Sequence, residues 1–278
     1  MCNASVIFIK FISRLFLWLK VLKTFRGLTF HSEINLWLSA FIDTLLYTFS
    51  SKKFNPRLVF GGLLLYKVKG LGTVIVRGRT DDFYYLIPGR EWDVEVFVRS
   101  CLKNGSIFVN VGANVGYYTL IASKLVEPLG HVYAIEPVPS TAGLLKANVK
   151  LNGCNNVVVY EAAAWSFKGK MILNIPKSFY GYASLVRGGE EKLIIKTITL
   201  DEILRDVNSI DLIKIDVEGA EHEVLIGAEK SLDKIKYMVI ELSCNVRDNV
   251  REVLRFLIQH GFKVKKLKFT TYILAYRG

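Results

Sequence analysis

From residue 105 onward, short apolar runs alternate with amphipathic stretches. Ile107–Val111, His131–Ile135, Val157–Ala162, Leu212–Ile215 and Tyr237–Leu242 have the length and β-branched content of buried strands. Between and after them, 115–126, 139–151, 201–207, 219–232 and 248–260 carry helical spacing, and 262–268 with 271–276 reads as a closing hairpin. Alternation of this kind predicts a mostly parallel sheet with helices on both faces. Upstream, 58–88 breaks apolar runs with glycines and reads as hairpins, while 91–103 is helical and ends at Asn104-Gly105. No internal repeat or low-complexity tract is present. The pattern divides the chain into 1–50, an apolar and basic pair of helices; 51–104, strands and a helix packing on the core; and 105–278, the α/β domain.

The first fifty residues follow another rule. In "VIFIKFISRLFLWLKVLKTFRGL", large apolar residues alternate with Lys10, Arg14, Lys20, Lys23 and Arg26, and no acid precedes Glu33. A transmembrane helix needs about 20 apolar residues with few charges; these charges recur too often. A cleaved signal would place its charge first, then an unbroken apolar run. A helix lying in a bilayer interface fits, its Lys and Arg reaching to headgroups, although the charges do not gather on one face. Residues 34–49 repeat the style with only Asp43 charged. Two roles stay open for 1–50: a membrane surface, or packing on protein.

Charge sharpens this division. The formal net charge is +12. Residues 1–105 hold 15 Lys+Arg against 7 Asp+Glu, a surplus of 8; residues 106–278 hold 22 against 18, a surplus of 4. The basic residues are interleaved with Phe, Leu, Ile and Trp rather than clustered, which disfavours nucleic acid as partner. The cysteines at 2, 101, 154 and 244 form no C-x-x-C pair, so neither a zinc site nor a disulfide framework is indicated. A reducing, cytoplasmic setting fits, with a peripheral place at the inner face of the membrane if 1–50 bind lipid.

Chemistry belongs at the carboxyl ends of the strands, where open α/β sheets hold their ligands. After the first strand comes Asn110-Val111-Gly112-Ala113-Asn114-Val115-Gly116. Three residues separate the two glycines, which is not the spacing of a dinucleotide fingerprint. Gly112 admits close approach of a ligand, and Gly116 lets the helix start tight against the strand. After the second strand comes Glu136-Pro137, the acid 24 residues beyond Gly112, placed to accept hydrogen bonds from ribose hydroxyls. Asp216, Glu218, Glu221 and His222 follow the fourth strand, and Glu241 ends the fifth.

The stretches "FVNVGANVGYYTLIA", "GHVYAIEPVPSTAGLLKANVKLN", "ASLV", "ITLDEIL" and "IDLIKIDVEGAEHEVLIGAEKSL" together resemble the FkbM family of class I S-adenosylmethionine-dependent methyltransferases. They cover about 105–245, roughly half the chain. The resemblance implies a Rossmann-like fold with a mostly parallel seven-stranded sheet and a C-terminal antiparallel hairpin, preceded by N-terminal helices and short strands. It implies S-adenosylmethionine held by the turn Gly112, Ala113, Asn114 and Gly116 with Tyr118 and Thr119, the ribose on Glu136 beside Pro137, and adenine near Ala162. Asp216, Glu218 and His222 would face the methyl group or the acceptor, with Asp216 as base or as ligand to a divalent metal. Asn110 stands where related sites carry an acid that touches the cofactor's amino group. The implied reaction is O-methylation of a sugar, glycan or lipid-linked sugar hydroxyl. A nucleic-acid methyltransferase and a non-catalytic membrane scaffold remain alternatives.

Bland roles stand beside these. Asp216, Glu218 and Glu221 sit where acids favour a helix N-terminus. His222 reads more readily as a solvated helix residue than as a base. Cys244 reads as a packed thiol, Tyr117 and Tyr118 as packing, and "FYGYASL" at 179–185, with Ser184, as an acceptor wall or plain insertion.

Overall fold

The computed structural model describes residues 4–175, 191–242 and 247–277. The stretch 179–185, Cys2 and Cys244 lie outside the described residues. The chain forms two compact units, Met1–Pro88 and Gly89–Gly278. The helix expected at 91–103 therefore belongs with the α/β series, and the pattern-based boundaries at 50 and 104 are not those of the compact units.

In the first unit, α1 (Ala4–Thr24) and α2 (Phe30–Phe49) pair as a helical hairpin. Thr29 caps α2: its hydroxyl accepts from the Ser32 N–H at 3.1 Å. Between the helices the chain makes a three-residue strand, β1 (Phe25–Gly27), which pairs with β2 (Leu63–Val68), itself paired with β3 (Gly72–Arg77). A short helix α3 (Asp82–Tyr85) follows. Trp18, Phe25, Tyr66 and Phe83 form the aromatic centre, with Trp18 stacked on Phe83 at 5.6 Å.

The second unit opens with α4 (Trp92–Cys101) and then alternates: β4 (Ile107–Val111), α5 (Tyr117–Val126), β5 (His131–Ile135), α6 (Pro139–Leu151) and β6 (Val157–Tyr160). Pro139 begins α6, where a missing N–H costs nothing. Three strands missed in the sequence, β7 (Ala163–Ala164), β8 (Gly169–Ile175) and β9 (Glu191–Ile198), form a separate small sheet. Then come α7 (Leu200–Ile203), β10 (Ile210–Ile215), α8 (Glu221–Ile226), β11 (Ile235–Glu241), α9 (Arg247–Gln259), β12 (Lys263–Lys266) and β13 (Tyr272–Tyr276). The large sheet runs β12-β13-β11-β10-β4-β5-β6, and only β13 is antiparallel to its neighbours. The expected helix 219–232 is broken after Ile226 and resumes as a 3-10 turn, Glu229–Lys234. A side chain at Gly227 would meet the Trp165 carbonyl at 2.1 Å, so backbone fills the space there.

Candidate active site

The chain order reverses between β4 and β10, so a crevice opens at their carboxyl ends. The register makes this edge unusually ordered. Val111 lies opposite both Ile135 and Ile215, Ile215 opposite Ile240, and Glu241 opposite Tyr272. One residue further along, Glu136, Gly112, Asp216, Glu241 and Tyr272 form a row across five strands. Strand side chains alternate faces, so Lys214, two residues before Asp216, shares its face.

On β4's side of this row, Gly112 has φ 78°. A side chain there would reach within 1.8 Å of the Asp216 carbonyl oxygen, so only glycine lets the two strand ends touch. Gly116 has φ 106°, and a Cβ on it would meet Leu145 at 2.7 Å; α5 consequently starts at Tyr117, two residues later than expected. Buried Glu136 fastens the turn: its carboxylate accepts from Asn114 N–H at 2.8 Å and Val138 N–H at 3.1 Å. Pro137, beside it, is half-buried, as is Asn114, whereas Ala113 is buried. Asn110 is 1% exposed; its amide donates to Thr119 Oγ1 at 3.0 Å, while its Oδ1 has no hydrogen-bond partner among the described residues. Ala162 is buried past the end of β6, which stops at Tyr160, where the carbonyl accepts the Glu136 N–H.

On the other side, Asp216 anchors a network largely invisible to the sequence reading. Lys214, 2% exposed, donates to Asp216 Oδ2 at 2.7 Å and lies between the rings of Tyr118 and Tyr272, 5.0 and 5.1 Å from their centroids. Tyr272 donates to Asp216 Oδ2 at 2.8 Å, and Glu241 shares a hydrogen bond with Asp216. From the start of α4, Glu91 accepts from Tyr118 at 2.9 Å and pairs with Arg90 at 2.5 Å. Burial disfavours the Asp216 charge, but the Lys214 ammonium and hydrogen bonds from Glu241, Lys214 and Tyr272 outweigh it and hold the carboxyl well below the usual range. The Asp216 charge, then burial and the shared hydrogen bond, push Glu241 up to about 10, so the pair holds one proton between its carboxyls at neutral pH. Burial first, then neighbouring carboxylates, push Tyr118 and Tyr272 well above the usual phenol value.

Glu218 joins the edge in a left-handed conformation, φ 54°, followed by Gly219 at 106°. Asp216, Glu218 and Glu241 each bring a carboxylate oxygen within 4.8 Å of the others. This set does not suit a divalent cation: Asp216 already carries the Lys214 ammonium and the Tyr272 hydroxyl, and it shares a proton with Glu241. A metal would have to displace Lys214. Buried Glu221 is a loop clamp, accepting from Gly219 N–H at 2.9 Å and from the Asn249 amide. His222 turns toward α9, where its Nδ1 lies 3.5 Å from Glu252 and its ring meets Phe256 edge-on. Among the described contacts it is not brought to Asp216.

Lys214, Tyr272 and Glu91 were missed, and Glu241 was seen only as a strand-end acid. Lys214 did leave a signal: a lysine inside "LIKID", on a strand buried on both faces, needs a counter-charge, and Asp216 lies two residues on.

The strand order, with its antiparallel β13, and the glycine turn followed by an acid define a Rossmann-like class I methyltransferase fold. The chain belongs to the FkbM methyltransferase family: the Methyltransferase FkbM domain matches residues 110–264, more than half of the 278. It is 24% identical to Methyltransferase 1 of Beauveria bassiana (strain ARSEF 2860) over 220 residues, covering 66% of this chain and 88% of that one. It is 28% identical to the 31-O-demethyl-FK506 methyltransferase FkbM of Streptomyces tacrolimicus over 211 residues, 61% and 80% of the two chains. It is 27% identical to the hexuronic acid methyltransferase AglP of Haloferax volcanii over 158 residues, 56% and 64% of the two chains. The protein is thus an S-adenosylmethionine-dependent methyltransferase. The chemistry of the residues present fits such a cofactor: a buried carboxylate, Glu136, stands at the second strand end, and the Asn110 Oδ1 has no hydrogen-bond partner among the described residues. Glu91 and Tyr272 flank the family match on either side.

Proposed function

We propose that the protein methylates a hydroxyl oxygen of a sugar or similarly hydroxylated acceptor. The observation that carries this is the Asp216 carboxylate, fixed by Lys214 and Tyr272 at the strand end against the Gly112 turn. The cofactor supplies an electrophilic methyl group on sulfonium. In-line displacement requires mainly that the attacking oxygen be held on axis, and a carboxylate with no freedom to rotate orients an incoming O–H. Asp216 is a weak base, since three donors already engage it. That suffices, because an oxygen that has gained a methyl group becomes strongly acidic and releases its proton late. Asp216 then accepts the proton, and the products are an ether, the neutral thioether and one proton. Glu136 and Asn110 serve cofactor binding, Tyr118 walls off Lys214, and Glu218 borders the acceptor side.

Support from relatives is of the same kind. One is described as a hexuronic acid methyltransferase and another acts on 31-O-demethyl-FK506. Incubation with methyl-labelled S-adenosylmethionine and a panel of uronic acids, neutral glycans and lipid-linked sugars, read by mass spectrometry, should give an O-methyl ether. Asp216→Asn should lower turnover ~10²–10⁴-fold while S-adenosylhomocysteine affinity changes little. A product carrying the label on nitrogen or carbon, or full activity in Asp216→Asn, would sink the proposal.

A further inference from the structure

The helical hairpin of the first unit has its polarity reversed. Along α2, Phe30, Ile34, Trp37, Phe41, Leu45 and Phe49 lie on one stripe at helical spacing, and every one is exposed; Phe30 is 83% and Phe49 75% exposed. The opposite face, which is buried, carries six polar residues, Ser32, Asn35, Ser39, Asp43, Thr44 and Thr48, beside two apolar ones, Leu36 and Ala40. On α1, Phe8, Ile9, Phe16 and Leu19 are exposed as well, whereas Arg14 is buried. Arg14 grips Asp43 through Nε at 2.5 Å and through Nη2 at 2.9 Å, and Trp18 Nε1 donates to the same carboxylate at 2.6 Å. Ser39 donates to Asn35 at 2.9 Å, and Asn35 to the Phe60 carbonyl at 3.2 Å. The hairpin satisfies these polar groups internally and turns many of its large apolar side chains out, while Trp18, Val21 and Leu36 stay inside. Scattered exposed apolar residues need no explanation, but a continuous stripe along twenty residues does.

Charge identifies what covers it. The acids between residues 4 and 88 are Glu33, Asp43, Asp81 and Asp82. Asp43, Asp81 and Asp82 are buried, and Glu33 is tied to the Gly27 N–H at 2.6 Å and Trp37 Nε1 at 2.9 Å. Lys20, Lys23 and Arg26 at one end of the hairpin, and Lys52 and Lys53 at the other, are exposed. Lys10 of α1 ties the two helices together at that second end, donating to the Ser50 carbonyl at 2.8 Å. The apolar stripe is thus bracketed by cations with no exposed acid near it in sequence. A second copy laid face to face would set like charges against each other. Among the described residues no helix is long and apolar enough to cross a membrane.

We infer that the α1–α2 hairpin lies in the surface of an anionic lipid bilayer, its phenylalanine stripe among the acyl chains and its terminal lysines at the headgroups. Both forces are of the required kind: burial of an amphipathic face, and ~5-fold in binding for each Lys or Arg near an anionic surface. The inference is independent of the acceptor proposed above.

Flotation of the intact chain with phosphatidylcholine vesicles, with and without phosphatidylglycerol, tests it. The protein should rise with the anionic vesicles and weakly with the neutral ones. Raising salt from ~0.1 M to ~1 M should reduce but not abolish binding, since the apolar part is not screened. Phe30→Ser/Phe41→Ser/Phe49→Ser alters only exposed positions and should weaken binding at least ~10-fold. Trp37 gives a readout without any destabilising change: brominated acyl chains should quench the wild-type emission more than that of Trp37→Phe. Absence from the floated fraction, unchanged flotation of the triple variant, or equal quenching in both proteins would overturn the inference. So would a solution dimer that the triple variant dissolves while vesicle binding stays absent, which would assign the stripe to a second copy.

Discussion

Lys214 shows how much one buried cation can organise. It neutralises Asp216, fills the space between two tyrosines, and so leaves Glu241 as the group that must keep its proton. The thermodynamic sign follows. Glu241 is raised from 4.5 to about 10, so its contribution to stability is complete below the lower value and is lost as pH rises through the upper one. Between them folding takes up one proton, and stability falls with pH by up to ~1.4 kcal/mol per unit from this group alone. Glu241→Gln, which keeps a donor toward Asp216 without a titrating proton, should flatten that fall. Urea unfolding at pH 6 and pH 9 would show it, and parallel losses in wild type and variant would refute the shared proton. Gly112 and Glu136 were legible in the sequence because local spacing defines them: a turn, then an acid one strand later. Lys214, Tyr272 and Glu91 were harder, because their partners meet only through the register of strands and a helix far apart in the chain.

At the scale of elements, the buried parallel strands were readable because sustained apolar runs leave few other options. The small sheet β7-β9-β8 was not, since its strands flank the insertion and Ala163–Ala164 is too short to show a period. The hairpin α1–α2 was readable as helices, yet not as an inverted pair. Helical spacing finds two faces but does not say which one looks inward. The expectation that Arg14 reaches toward headgroups is corrected by its ion pair: an arginine with the Asp43 carboxylate, the Tyr47 ring and the Phe54 carbonyl around it has no reason to leave. Asp43→Asn would strand that guanidinium and should cost ~3–5 kcal/mol in urea unfolding, whereas Arg14→Met/Asp43→Leu should recover most of the loss. A cost below ~1 kcal/mol in the single variant would show that water reaches the pair.

For the whole molecule, two compact units imply two partly separable unfolding events. A ligand that binds only the folded second unit stabilises that unit, by ~2.7 kcal/mol at a concentration of 100 times its dissociation constant. In calorimetry S-adenosylhomocysteine should therefore move one transition upward and leave the other in place. Equal movement of both would show that the units unfold as one. The family is set by the second unit, where the glycine turn and the acids are found. The first unit contributes most of the charge surplus, which is why composition alone pointed toward anionic partners without naming one.

The row at the strand ends also bears on how such a protein can change. Glu136, Gly112, Asp216, Glu241 and Tyr272 stand side by side only because four strands end in step where β13 begins. Replacing one member alters only the contacts that member makes. Removing a single residue from β10 would turn Lys214 and Asp216 to the opposite face and leave Glu241 and Tyr272 without their carboxylate. Descendants of this chain are therefore freer to explore new lengths in the loops beyond the edge, whereas the frames of the strands themselves are closed to insertion and deletion.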